Sequence, residues 1–503
     1  TSCSGACTNT SIDPTNCGAC GTVCSLPNAT EFCLTGRCGV AACDTGFGDC
    51  NATASDGCEV NLTNTLSNCG RCGNVCPTAA NATTTCASGV CGFTCNTNFG
   101  DCNGVASDGC EVDLRTNSSN CGACGTSCGA GVPCSAGRCQ FGTGSDGPLT
   151  AGGTINNVRA AASGASGSMT LAIASVSGTF LAGRQVIVHQ TQGAGAGTYQ
   201  RAVIASATGS ALTLTAPLAA SFTSGAQVVM VQEYTTVNLP SGATLTAPAW
   251  DGTTGGILAF DSSDATINGT ITMSARGFRG RNHGCFYRCG RGFQGESASG
   301  LGGVTIAANG AGGGGGGQGQ DDACGGGGGY GAAGSNGGNG GCGACAEACP
   351  IPGGAAGGAT GAANLGTSLF FGGAGGEGGA DEDGGNPGRG GNGGGIVLLR
   401  VTTLTVGSSA LISSDGEAGS PGNQGACGGG GCGMGGGGGG AGGAVRIVVL
   451  TAASVNTNRI TALGAGGGSP TCGSTIGGTG GVGRIGINAP TFTGSTNPAR
   501  DTN

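Results

Sequence analysis

Between Leu301 and Gly480 the chain holds 68 glycines in 180 residues, with unbroken runs at Gly312–Gly317, Gly325–Gly329 and Gly435–Gly440. No other feature restricts the fold as much. Glycine loses the most backbone entropy on folding, and ordering a residue costs about 1–2 kcal/mol. It also brings no side chain to a core. Such a stretch is either disordered or held by hydrogen bonds between its own backbone segments. Polyglycine II-type helices provide the second solution. They have three residues per turn, no internal hydrogen bonds, and donors and acceptors turned outward to neighbours. Close approach of such rods tolerates only glycine and permits Cα–H···O contacts. The strict Gly-X-Y period of a collagen triple helix is absent over the stretch. The ordered reading predicts φ near about −75° and ψ near about +145° for much of the three runs, with hydrogen bonds between non-adjacent segments.

Apolar runs punctuate the glycines on one template. Gly255-Gly-Ile257-Leu-Ala-Phe260 is followed by Ala265-Thr-Ile267 and Ile271-Thr-Met273. Gly394-Gly-Ile396-Val-Leu-Leu-Arg-Val401 is followed by Leu404-Thr-Val406 and Ala410-Leu-Ile412. Gly442-Gly-Ala-Val445-Arg-Ile447-Val-Val449 is followed by Val455 and Arg459-Ile-Thr-Ala-Leu463, and Gly481-Val-Gly-Arg-Ile485-Gly-Ile487 comes last. Each unit reads as two strands and a glycine-rich excursion. Stacked strands then form a shared core, with the excursions beside it as rods. Upstream, Met169–Ile173, Gln185–His189, Arg201–Ile204, Leu212–Leu214 and Gln227–Gln232 are apolar runs separated by Gly, Ser and Pro. That spacing predicts a small antiparallel sandwich or barrel. The fold class is therefore all-β with almost no helix. The expected segments are 1–141 disulfide-rich, 150–250 a β module, 251–490 glycine-rich β repeats, and 491–503 a tail. Trp250, the only tryptophan, is expected to anchor the junction between the last two modules.

The first 140 residues repeat every 52. Cys17-Gly-Ala-Cys20-Gly-Thr-Val-Cys24 recurs at Cys69, Cys72 and Cys76, and again at Cys121, Cys124 and Cys128. Each full repeat carries eight cysteines: Cys17, Cys20, Cys24, Cys33, Cys38, Cys43, Cys50 and Cys58, then Cys69, Cys72, Cys76, Cys86, Cys91, Cys95, Cys102 and Cys110. Repetition at such a period means stacked units. With little apolar material, disulfides must hold them. Eight cysteines allow 105 pairings, so the map stays open. The expectation is bridging mostly within repeats, as two closed groups, Cys17–Cys58 and Cys69–Cys110. Cys285 and Cys289 are also expected to bridge, and Cys324, Cys342, Cys345, Cys349, Cys427, Cys432 and Cys472 to staple the glycine region. Twenty-three cysteines precede residue 140 and nine follow residue 284. Both counts are odd, so a bridge links the regions or two chains, or each region keeps a thiol. Zinc is the weaker reading of Cys-X2-Cys, because no spaced second pair or His pair accompanies it. Asp49, Asn51, Asp56 and Glu59, and equally Asp101, Asn103, Asp108 and Glu111, could offer oxygens to calcium. Asx-turns and an Asp-Gly turn are the competing use.

These repeats resemble the Asp-Gly-Cys-Glu-Val and Asn-Cys-Gly-X-Cys-Gly-X2-Cys repeats of large secreted proteins of myxobacteria and related Gram-negative bacteria. The resemblance covers about 140 residues. It implies an extracellular or surface location and carries no catalytic residues. The Gly-Gly-strand template is similar to repeats in bacterial surface proteins. In composition, the glycine runs resemble the polyglycine II segments of phage tail-tip adhesins and of anaplastic lymphoma kinase-type receptors.

Composition narrows the function. Charged residues are 9% of the chain, the net charge is −8, and all 18 cationic residues are Arg. A nucleic-acid role is not expected of an acidic chain. No run of 18 apolar residues exists to span a membrane. The chain begins at Thr1, as a processed N-terminus would. Two histidines, His189 and His283, leave little room for triad or metal chemistry, and no carboxylate pair is singled out, so an enzyme is not expected. His189, at a strand end, reads as structural. Arg276, Arg279, Arg281, Arg288 and Arg291 surround Cys285 and Cys289, interleaved with Phe278, Phe286, Tyr287 and Phe293. They are expected to form a contact surface for Asp321, Asp322, Asp381, Glu382 and Asp383, within the chain or in a neighbour. The functional expectation is an extracellular structural protein that assembles with itself into a filament, sheath or surface layer. Exposed ends of stacked repeats would make head-to-tail contacts, the N-terminal repeats of one subunit packing on the glycine-rich region or β module of the next and burying more than about 2,000 Å² per contact. The alternative is a monomeric adhesin that binds glycans or other cells.

Overall fold

The computed structural model describes residues 1–128, 132–281, 291–310, 312–318, 323–340, 351–361, 365–380, 386–422, 434–469 and 476–501. The described residues are all β or irregular, without helix. Hence no helix among them is long and apolar enough to cross a membrane. The chain divides into two compact units, Thr1–Cys139 and Gln140–Asn503.

The first unit is a series of hairpins stapled by sulfur. Ala29–Leu34 pairs with Arg37–Cys43, and Ala82–Ala87 with Val90–Cys95. Thr35-Gly36 and Ser88-Gly89 turn with positive φ at both central positions, as two-residue hairpin loops require. Cys33 and Cys38 face each other across the first hairpin but do not bond together. They reach back to Cys17 and Cys24, so each hairpin is pinned twice to the loop before it. Cys69–Cys86 and Cys76–Cys91 repeat the arrangement. Cysteines are the core here: Cys17, Cys24, Cys33, Cys58, Cys69, Cys76 and Cys110 are all buried. The closed groups of eight expected from the repeats are not what forms. Cys20 pairs with Cys3, Cys50 with Cys72, and Cys102 with Cys124, so these three bridges run across repeat boundaries, while the other eight stay within repeats as expected. The reason is local. The outer cysteines of each Cys-Gly-X-Cys-Gly-X-X-Cys loop serve the hairpin, and the middle one is left for the segment before. Gly48 leaves room for it, since a Cβ there would lie 3.1 Å from Cys72 Sγ. Eleven bridges use 22 of the 23 cysteines in this unit and leave Cys7 exposed and unpaired.

The second unit begins with a closed six-stranded antiparallel barrel built from Arg159–Gly164, Thr170–Ser177, Gln185–Gln190, Tyr199–Ala207, Ala211–Leu214 and Phe222–Met230. A parallel stack follows at once. Its first long strand is Gln232–Leu239, so the stack starts inside the segment assigned from sequence to the β module. The next long strands are Ile257–Ile267, Ile396–Val406, Ala444–Val455 and Arg484–Asn488. Short strands Thr244–Thr246, Thr270–Thr272, Leu411–Ser413 and Ile460–Thr461 turn off them into a second parallel sheet. Like residues stack in register. Phe260, Leu399, Ile447 and Ile487 form one ladder, and Leu245, Ile271, Ile412 and Ile460 form another across the core. Each such buried side chain contributes roughly 1.5–3 kcal/mol.

The other face of the long-strand sheet is also covered. Ile257, Ala259, Ile396, Leu398 and Ala444 pack with Ile187, Val229 and Val231 of the barrel region, and with Trp250 and Phe371. Burial on both faces explains the unbroken apolar runs, which alternation would otherwise interrupt. Both ends of the stack are closed as well. Thr235 donates to Gly147, and Leu149 bridges Val237, at the first coil. Thr491–Thr493 pairs with Ala452–Ser454, Asn497 bridges Thr461, and Asp501 bridges Gly486 at the last. The residues expected to be a tail are thus a cap.

Candidate functional site

Between short strand and next long strand, the chain leaves the sheet and returns as extended rods. Gly437, Gly438 and Gly439 donate in turn to Ser420, Gly376 and Gly478, at 3.0, 2.8 and 2.8 Å. Gly440, Ala441 and Gly442 donate to Glu417, Gly373 and Gly481, at 2.9, 2.9 and 3.0 Å. The same three neighbours are visited twice in the same order. Two partners step backward by three residues and one steps forward, so the rod lies antiparallel to two neighbours and parallel to the third. That is the hydrogen-bond signature of a three-residue screw. Gly325 to Gly329 behave alike: Gly325 and Gly328 bond Gly436 and Gly439, and Gly326 and Gly329 bond Gly315 and Gly312. None of Gly313–Gly317, Gly325–Gly329 or Gly435–Gly440 has positive φ, whereas Gly312, at +108°, departs from the expected conformation and turns into its rod. A Cβ on Gly314 would fall well inside contact with the Gly326 carbonyl, and one on Gly438 would do so with that same carbonyl.

Position in the lattice is written in triplets. Interior rods read Gly-Gly-Gly. Phe371-Gly-Gly-Ala374-Gly-Gly-Glu377-Gly-Gly-Ala380 turns every third side chain to one buried row. Asn336-Gly-Gly-Asn339 and Ile476-Gly-Gly-Thr479 turn theirs out to solvent. Along the outer rods, Asn336 and Asn339 accept the N–H groups of Ala356 and Gly353 with their side chains, at 2.8 and 3.2 Å.

The arginine cluster works within the chain. Arg279 donates to both oxygens of Glu296, at 2.9 and 3.3 Å. The Glu296 side chain is fully buried and also accepts from Trp250 Nε1 and Gln192 Nε2. Arg276 donates to the Ala247 carbonyl. Arg281 donates to the Gly302 carbonyl and lies 4.6 Å from the centre of the Phe293 ring. Arg291 is exposed. Arg276, Arg279 and Arg281 thus bond within the chain, to carbonyls and one buried carboxylate. Arg288, Cys285, Cys289, the five expected acidic partners and His283 lie outside the described residues. So do all the stapling cysteines but Cys324, which is buried. Trp250 does sit at the junction, edge-on to Phe278 and Phe371.

The acidic loops close turns. Asp49 and Asn51 both accept the Thr53 N–H, at 3.2 and 2.7 Å. Asn51 points its Nδ2 at Asp56, and Glu59 accepts from the Cys50 N–H. Asp101, Asn103, Asp108 and Glu111 repeat this arrangement, except that Asp101 accepts from the Gly104 N–H and Asn103 alone from the Val105 N–H. A calcium site needs oxygens converging on one point, and here the amide nitrogen faces the carboxylate, so the residues do not fit the ion. The cysteine sulfurs near one another, such as Cys17, Cys24 and Cys38, belong to adjacent disulfides.

Three features escaped sequence reasoning. Asp261, fully buried, accepts from Arg201 of the barrel at 3.0 Å and from Arg400 of the neighbouring strand at 3.1 Å. Burial alone would raise its pKa, but the two arginines together outweigh burial and hold it below the usual carboxylate value. This brace fixes the barrel on the stack. Aligning Gly-Gly-Ile257 with Gly-Gly-Ile396 would have found it, since Asp261 then falls opposite Arg400. The second is Glu296, for which no local signal exists. The third is the Gly-Gly-X triplet, visible in Phe371–Ala380 once a collagen-length period is no longer demanded. His189 is buried, bonded to Thr191 Oγ1 and the Leu369 carbonyl at 2.9 Å each, and burial lowers its pKa to about 4.

Several concavities lie among the described residues. A cleft of about 480 Å³ on the barrel wall is lined by Ala161, Ser163, Ala172, Gln192, Gly225 and Thr253, among others. A cavity of about 440 Å³ in the second cysteine repeat is lined by Pro77, Thr78, Ala79, Cys91, Gly92, Phe93, Ala106 and Ser107. No protein-family model, characterised protein or solved structure matches this chain.

Proposed function

We propose that this is an extracellular structural protein whose copies associate into a filament, sheath or surface layer. The glycine lattice carries the reading. Its rods pack through peptide groups, and its variable side chains are confined to every third position. That arrangement suits a durable, sparsely charged material. Eleven disulfides place the first unit outside a reducing cytoplasm, and the resemblance of the repeats to secreted myxobacterial-type proteins supports export. Negative-stain microscopy of native material, with light scattering of the purified chain, tests this. Fibres or sheets are expected. A monodisperse monomer at high concentration, with no assemblies in native material, overturns it.

The closed ends of the strand stack favour a second reading, a monomeric surface adhesin that binds glycans or other cells. Under it the same experiment returns monomers, and a glycan array returns specific binding.

A further inference from the structure

Where Gln185–Gln190 pairs with Phe222–Met230 in the barrel, His189 stands opposite Gln227. Thr191, just past the end of the first strand, reaches both. Its Oγ1 lies 2.9 Å from His189 Nδ1 and 2.9 Å from Gln227 Nε2. None of the three side chains is more than 2% exposed. Their partners fix the protons. His189 Nε2 is 2.9 Å from the Leu369 carbonyl, which can only accept, so Nε2 carries the ring proton and Nδ1 is left as an acceptor. Burial lowers the His189 pKa to about 4, and the ring is neutral at neutral pH. Thr191 therefore donates its hydroxyl proton to Nδ1. The Gln227 carboxamide is held from its far side by Gly255. Its Oε1 accepts the Gly255 N–H at 2.8 Å, and its Nε2 donates to the Gly255 carbonyl at 3.0 Å.

A hydroxyl bonded to a neutral imidazole, with that imidazole oriented by a third group, is the arrangement of an activated nucleophile. Here the group beside it is a carboxamide whose oxygen already faces a backbone N–H. We propose that Thr191 and Gln227 join in an intramolecular ester, with His189 as the base. The hydroxyl meets the nitrogen edge of the carboxamide, and a part turn about the Cγ–Cδ bond presents the carbonyl carbon. Thr191 Oγ1 then bonds to Gln227 Cδ as its proton passes to His189 Nδ1. The Gly255 N–H stabilises the negative charge that gathers on Oε1. The Cδ–Nε2 bond breaks, His189 returns the proton to that nitrogen, and ammonia leaves. No other reactant is needed. Burial of the site withholds the water that would hydrolyse the product. The bond ties together residues 36 apart in sequence. Unlike the bridges of the first unit, it resists reduction. The inference holds whether or not copies of the chain associate.

Mass spectrometry of the full chain, reduced and digested with trypsin, tests it. Cleavage after Arg184, Arg201 and Arg276 puts Thr191 and Gln227 in separate peptides, 185–201 and 202–276. The two peptides are expected joined, lighter than their sum by one ammonia, about 17 Da, and separating in dilute alkali, which hydrolyses an ester faster than an amide. Thr191→Val keeps the shape without the hydroxyl and should release two separate peptides. His189→Gln should leave them mostly separate after an incubation that joins the wild-type chain, since losing a general base slows such a step about 100-fold or more. Thermal unfolding of each variant controls for folding. Separate peptides from the folded wild-type chain overturn the ester. Joining that persists in Thr191→Val overturns Thr191 as the attacking group, and wild-type joining in His189→Gln overturns His189 as its base.

Discussion

Two regions of this molecule solve the same problem with opposite chemistry. Both have too few apolar side chains to build an ordinary core. The cysteine repeats replace them with covalent bonds, so that buried sulfur is the interior. The glycine lattice replaces them with hydrogen bonds between rods, so that the peptide group is the interior. A disulfide works mainly on the unfolded chain, by restricting it. The lattice has no such help and must offset glycine's full entropy through the native contacts. One region is therefore tolerant of side-chain change and intolerant of reduction. The other should show the reverse.

The largest effect expected is that of reduction. Full reduction should abolish hydrogen-exchange protection throughout residues 1–139, where each bridge contributes about 2–4 kcal/mol. Protection at Ile396–Val406 and Gly435–Gly442 should survive. Retained protection in the first unit would show that something besides sulfur holds it. Next comes crowding within the lattice. Gly314→Val places a branched side chain against the Gly326 carbonyl. It should destabilise the second unit by at least about 3 kcal/mol, the upper range for overpacking, in thermal unfolding. Removing one joint between repeats, by Cys50→Ser with Cys72→Ser, should cost about 2–4 kcal/mol and lower protection on both sides of that joint. Loss confined to a single repeat would instead restore the closed-group picture.

Acid gives a smaller effect on the second unit. His189 has a folded pKa of about 4 against an ordinary value of 6.5, so the unfolded chain binds the proton first as pH falls. Its stabilising share is complete above about pH 6.5 and shrinks toward pH 4, reaching a loss of about 2 kcal/mol near pH 5. His189→Gln should flatten that slope in denaturant titrations; an unchanged slope assigns the acid sensitivity elsewhere. The smallest effect is the control for the lattice. Nothing lies within 4 Å of a Cβ on Gly466. Gly466→Ala should therefore change stability by no more than about 0.5 kcal/mol. A large cost there would mean that glycine is required for reasons other than space.

Much of this architecture is legible in the sequence, because repetition makes periodic demands visible. The 52-residue spacing marks the hairpin units, and the aligned Gly-Gly-Ile257, Gly-Gly-Ile396 and Gly-Gly-Ala444 starts mark the stacked strands. Short apolar runs such as Gln185–Gln190, separated by Gly, Ser and Pro, mark the antiparallel module. Other features depend on direction in space, which spacing does not encode. Cys20 and Cys24 are four residues apart in one loop, yet point to different neighbours. Arg279 and Glu296 meet because a buried carboxylate needs a partner, although nothing local to either residue indicates the other. The closed ends of the stack are illegible for a similar reason. Residues 146–149 and 497–501 have no strand pattern of their own and become ordered against edges that other segments create.

The triplet arrangement of the rods gives the glycine region something like a reading frame. In Ile476-Gly-Gly-Thr479-Gly-Gly-Val482 each residue turns the chain by a third of a revolution. Loss or gain of one or two residues would rotate everything downstream and swing a threonine or valine into a space made for hydrogen. A change of three restores the phase. Length variation among related chains should consequently fall in threes along the rods, and each excursion must still come back to the sheet it left. Such a region can lengthen or shorten while its strands keep their register, provided that the frame is kept.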